Sequence, residues 1–171
     1  MGEVGDREGA RESVEVPCFK VETLLSDMYV ACIEGFIIRD EELVRLSTIL
    51  EKEGTAVLGI DEPVEPCRLA QAYLYALETM KERSIRRLPL AMLLYVKSLK
   101  QVSNVIAILK QSKIRSVCIV STDEEACFNA FRVIIDNIID KNRKYVNKII
   151  ITSCSKKELV RMAKNHLNII S

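Results

Sequence analysis

The chain has 171 residues, enough for one domain with a sizeable core, and its 49% hydrophobic and 29% charged content is that of an ordinary globular protein. The longest uncharged run of its middle region, Leu88 to Val96, is far short of the roughly 20 apolar residues a membrane-spanning helix needs, and the N-terminus lacks the apolar stretch of a signal peptide, so a cytoplasmic protein without membrane contact is expected. The net charge of +1 conceals a split: residues 1–80 hold 7 Lys/Arg against 17 Asp/Glu, net −10, and residues 81–171 hold 18 against 7, net +11.

Residues 1–17 are polar, acidic and aperiodic, and read as a flexible tail; residues 18–171 read as one domain. Strand-like stretches follow at Cys18 to Leu25 and Met28 to Ile38. Asp40 caps a helix through Glu53 with the stripe Leu43, Leu46, Ile49 and Leu50, and Gly54 stops it. Thr55 to Ile60 is a short apolar strand. Pro66 suits a first helical turn, and the helix it opens runs to about Arg83 with Leu69, Tyr73, Ala76, Leu77 and Met80 as core positions. A loop, Arg83 to Arg87, leads to a helix from Leu88 to about Ser98 that is apolar on most sides and therefore largely buried. A further helix carries Val102, Val105, Ile106 and Leu109.

Arg115 to Ser121 is a strand of β-branched residues. Thr122 to Glu125 is a capping box for a helix from Asp123 to Asp140, Val146 to Thr152 is a strand, and Ser155 to Glu158 is a second capping box for a helix to about Leu167. Strands alternate with helices, which predicts a single α/β (α+β) domain: a mixed β-sheet flanked by several helices.

Catalytic and cofactor motifs are absent. None of the six glycines forms a phosphate-binding loop, and no nucleophile elbow occurs. The six cysteines include no C-x-x-C pair and there is one histidine, so neither a metal nor another cofactor is expected. Cys32 and Cys118 lie in apolar runs and read as small buried hydrophobes. A disulfide in an intracellular chain is compatible with a hyperthermophilic source, and the sequence leaves open whether any pair forms. His166, flanked by Asn165 and Asn168, reads as part of an exposed polar face rather than a catalytic base. The carboxylate runs at residues 40–42, 61–62 and 123–125 fit helix starts, where they meet free N–H groups and the positive end of the dipole. The chain is therefore not expected to be an enzyme.

Two segments are strongly basic. Residues 81–115 hold 9 Lys/Arg against Glu82 alone, and residues 141–171 hold 8 against Glu158 alone. A dense basic block attracts polyanions. In the first, Lys81, Arg83, Arg86 and Arg87 lie at a helix end and in the loop after it, and Lys97, Lys100 and Gln101 lie at the next break. Guanidinium groups on converging loops suit backbone phosphates, so these seven residues are the candidate RNA-binding set. Lys110, Lys113 and Arg115 are secondary candidates. Lys156 and Lys157, in the first turn of the last helix, make a rival basic site.

From Tyr73 to Val120 the chain resembles the PRPK-binding protein family, the small kinase-associated subunit of the KEOPS complex, in its archaeal form. The likeness rests on an Ala/Leu-rich helix, a short basic loop, the apolar helix around Leu88 to Val96, a turn, an amphipathic helix and a strand. Lys100-Gln101-Val102 stands where the family tends to have Arg-Gln-Ile, Ser98 where glycine is common, and Ala91 where glutamate is usual. The resemblance implies a non-catalytic accessory subunit, monomeric outside its complex, that supports threonylcarbamoyladenosine modification. It also implies binding to transfer RNA and to the atypical kinase subunit. The alternative is a purely protein-binding regulator of a kinase-like partner.

Overall fold

Alternating apolar residues on β1 (Val14–Glu22) and β2 (Asp27–Glu34) send one set of side chains to each face of a sheet. The computed structural model describes residues 14–23, 25–34, 40–98, 103–104, 114, 116–138 and 144–170. Within them β3 (Ala56–Ile60), β4 (Ser116–Ser121) and β5 (Tyr145–Ser153) complete one five-stranded mixed sheet in the order β3-β4-β2-β1-β5. Only the β1–β5 pair is parallel.

The helices whose bounds lie within the described residues are α1 (Asp40–Glu51), α2 (Pro66–Arg83), α3 (Leu88–Val96), α4 (Glu124–Ile138) and α5 (Lys156–Ile170). One face of the sheet, with Val21, Met28, Val30, Leu58 and Val120, packs against α2, α3 and α5. The other, with Val16, Ala31, Val57 and Ile119, packs against α1 and α4. The expected mixed sheet flanked by helices is thus observed.

Particular features depart from the sequence reading. β1 begins at Val14, so residues 14–17 belong to the sheet rather than to a tail; they pair with Tyr145 to Lys148 of β5. Pro17 is accommodated because β1 pairs with β2 only from Phe19 onward, leaving a single neighbouring strand at the proline. Ile49 and Leu77 are exposed, at 47% and 42%. On α1 the buried stripe is Leu43, Leu46, Ser47 and Leu50, which puts Ile49 off its edge. On the C-terminal half of α2 it narrows to Ala76 and Thr79, with Met80 partly buried.

Gly54 stops α1 as expected. Its φ is 82°, its N–H donates to Glu51 O and the Thr55 N–H donates to Leu50 O, a Schellman closure that only glycine adopts without strain. α3 is buried along nearly its whole length. The capping residue of α4 is Asp123, whose Oδ2 accepts from the Ala126 N–H at 3.1 Å, rather than Thr122. Ser155 caps α5 through the Glu158 N–H. The stripe at Val102, Val105, Ile106 and Leu109 lies outside the described residues.

Candidate nucleic-acid interface

α2 and α5 run side by side in the same direction. Cys67 is disulfide-bonded to Cys154 at their starts, Arg68 Nε meets Glu158 Oε1 at 3.3 Å, and Arg83 Nη1 reaches Ile169 O at 3.5 Å at their ends. The basic loop after α2 therefore sits beside the C-terminal end of α5. Ser84 closes α2 in the left-handed region, φ 54°, and turns the chain into that loop.

The expected RNA-binding residues divide sharply. Lys81 and Arg86 are exposed and make no ion pair with another described residue. Arg83 is exposed but holds the end of α5. Arg87 is committed to the fold: its Nε donates to Glu51 Oε2 at 2.8 Å and its Nη2 to Ser47 Oγ at 3.3 Å. Lys97 forms an ion pair with Asp61 in which each side chain is only 16% exposed. Lys100 and Gln101, together with the secondary candidates Lys110, Lys113 and Arg115, lie outside the described residues.

The rival site is larger than its first turn. Lys156, Lys157, Arg161 and Lys164 are all exposed, and none is ion-paired with another described residue. Lys157, Arg161 and Lys164 follow i, i+4, i+7 spacing and so line one face. The opposite face, with Leu159 partly buried and Met162, His166 and Ile169 buried, packs inward. Counting charge over 141–171 flagged this region, but the helical spacing of its cations is the signal that resolves it into a surface.

His166 is not exposed. It is 8% accessible and stacks on Tyr75 with ring centroids 4.4 Å apart. Its Nδ1 lies 2.6 Å from Tyr95 Oη and its Nε2 2.9 Å from Glu78 Oε2. Tyr95 Oη also hydrogen-bonds Thr79 Oγ1, and Asn165 Nδ2 donates to Tyr95 O. A carboxylate–imidazole–phenol chain has the components of acid–base chemistry. Here it runs inward from Glu78 to a fully buried tyrosine. Burial pushes the Tyr95 phenol above its ordinary range, against the opposing effect of the Thr79 bond, so the hydroxyl stays neutral. The network ties α2, α3 and α5 together.

No protein-family model matches the chain, and no curated protein or solved structure matches it. Among the described residues no three His, Cys, Asp or Glu side chains converge to hold a metal ion, and no helix is long and apolar enough to cross a membrane.

Proposed function

We propose that this chain is a non-catalytic accessory subunit of the KEOPS kind, which binds transfer RNA and an atypical kinase partner and supports threonylcarbamoyladenosine formation. One observation carries the RNA-binding part: the exposed cations Lys81, Arg86, Lys156, Lys157, Arg161 and Lys164, unpaired among the described residues, lie on and beside two helices held together along their length. Such cations keep their charge available for phosphates, and a protein that neutralises phosphates displaces counterions and binds in a salt-dependent way.

The family likeness gains support at one turn. Ser98, which stands where the family commonly has glycine, has a φ of 54° in the left-handed region that glycine favours. Arg83 also brings the loop of the first candidate site to the C-terminal end of α5, the helix that carries the second.

Binding of bulk transfer RNA by the full chain, titrated at several salt concentrations, tests this reading. Lys81→Glu/Arg86→Glu and Lys157→Glu/Arg161→Glu/Lys164→Glu are expected to weaken binding and to flatten the salt dependence by roughly one unit of log–log slope per phosphate contact removed. Affinity and slope unchanged in both variants would overturn it. A second reading, a purely protein-binding regulator, is favoured by Val160 and Leu167, 46% and 63% exposed among the α5 cations. Capture of a kinase-like partner that survives both variants, with no RNA binding by the parent chain, would select it.

A further inference from the structure

All six cysteines stand in pairs. Cys32 and Cys118, register partners on β2 and β4, form a disulfide, and Cys67 at the start of α2 is bonded to Cys154 before α5. The remaining two, Cys18 on β1 and Cys127 on α4, are thiols. Both are 0% exposed, and their sulfurs lie 3.0 Å apart although 109 residues separate them in sequence. A cysteine that merely fills apolar space needs no second sulfur beside it. On the same sheet face and the same helix, Ala31 and Ala130 fill such space without sulfur.

From this geometry we infer that Cys18 and Cys127 form a third disulfide, so that the mature chain carries one covalent tie in each layer of its fold. Cys67–Cys154 joins the helices of one face, Cys32–Cys118 joins two strands within the sheet, and Cys18–Cys127 joins the sheet to α4 on the other face. The oxidant is a small-molecule disulfide. One cysteine thiolate attacks it, forming a mixed disulfide and releasing one small thiol. The second cysteine then attacks the mixed disulfide, closing the Cys18–Cys127 bond and releasing the other small thiol. Two protein thiols are oxidised, one external disulfide is reduced, and the two protons leave on the released thiols.

The step belongs to folding, before α4 closes over β1. In the folded chain neither sulfur meets solvent, and the bond from Cys18, together with burial, pushes the Cys127 thiol far above its ordinary range, so it supplies almost no thiolate. For the same reason the bond, once closed, resists exchange.

The test is refolding of the full reduced chain in a buffer of oxidised and reduced glutathione, followed by alkylation under denaturing conditions without reductant. The expected product carries no alkylated cysteine, is lighter than the reduced chain by two hydrogens for each of three bonds, and yields a Cys18–Cys127 linked peptide. Alkylation at Cys18 and Cys127 with the other two bonds formed overturns the inference, as does either cysteine bonded to a different partner. The variant Cys18→Ala/Cys127→Ala supplies a second readout. Reduction is expected to lower the unfolding midpoint of the parent chain further than that of the variant, and equal drops overturn it.

Discussion

At the scale of single residues, the sequence misled most where a side chain's partner comes from another element. His166 between two asparagines has the local pattern of a wet helix face. It is buried because Glu78 and Tyr95, 88 and 71 residues away in sequence, converge on its two nitrogens. Tyr95→Phe removes the hydroxyl that serves both His166 Nδ1 and Thr79 Oγ1. The imidazole nitrogen then has no partner inside a dry region, so a loss of about 1–3 kcal/mol is expected in urea unfolding. Thr79 keeps its bond to Tyr75 O and adds little to that loss. A loss below about 0.5 kcal/mol would mean that water reaches the site, contrary to the observed burial. Ser98 gives the opposite sign. It holds a left-handed φ without glycine's freedom, so Ser98→Gly is expected to raise stability by about 0.5–1 kcal/mol in the same assay, the released strain exceeding the entropy glycine adds to the unfolded chain.

Elements were legible in proportion to how far their own periodicity decided them. α2 starts where Pro66 predicts, α3 starts at Leu88 where its apolar run begins, and α1 ends where Gly54 predicts, because those signals are local. The start of β1 was hidden: Val14 and Val16 alternate as a strand should, but Pro17 and the acidic context mask it until β5 supplies the partner. The start of α3 also has a support that no local pattern shows. Arg87, its N-cap residue, makes no side-chain cap; instead Glu51 of α1 accepts from the Leu88 N–H with Oε1 at 2.7 Å and from Arg87 with Oε2 at 2.8 Å. One carboxylate therefore caps a helix on the opposite side of the sheet and neutralises the arginine beside it. Glu51→Ala is expected to cost about 1.5–3 kcal/mol, since it removes two charge-assisted bonds at once. Arg87→Ala should cost less, because Arg87 is 38% exposed and the Leu88 bond survives its loss. Urea unfolding of the two single variants and the double variant checks this, and a double-variant loss well below the sum of the singles is the expected sign of their shared contact.

Across the whole molecule, a count along the chain cannot separate the cations that the fold neutralises from those it leaves exposed. Part of the basic second half is spent on the acidic first half: Arg87 on Glu51, Lys97 on Asp61 and Lys148 on Glu15. These pairs draw the α2–α3 loop, the end of α3 and the edge strand β5 onto α1, the end of β3 and β1. Lys81, Arg86 and the α5 cations Lys156, Lys157, Arg161 and Lys164 have no such counterpart among the described residues. The sequence marked the basic regions but could not say which of their cations the fold neutralises, because that depends on which carboxylates it brings near. The two classes should respond oppositely to removal of charge. Lys97→Met removes one half of an ion pair whose two side chains are largely out of water, so it is expected to lower stability by about 1–3 kcal/mol while leaving transfer-RNA affinity per folded molecule unchanged. Lys81→Met is expected to leave stability within about 0.5 kcal/mol and to reduce both affinity and its salt dependence. Urea unfolding and salt-titrated binding measured on the same two proteins decide the matter. If Lys97→Met weakened binding as much as Lys81→Met at equal folded concentration, the division between cations that hold the fold and cations proposed to face RNA would be wrong.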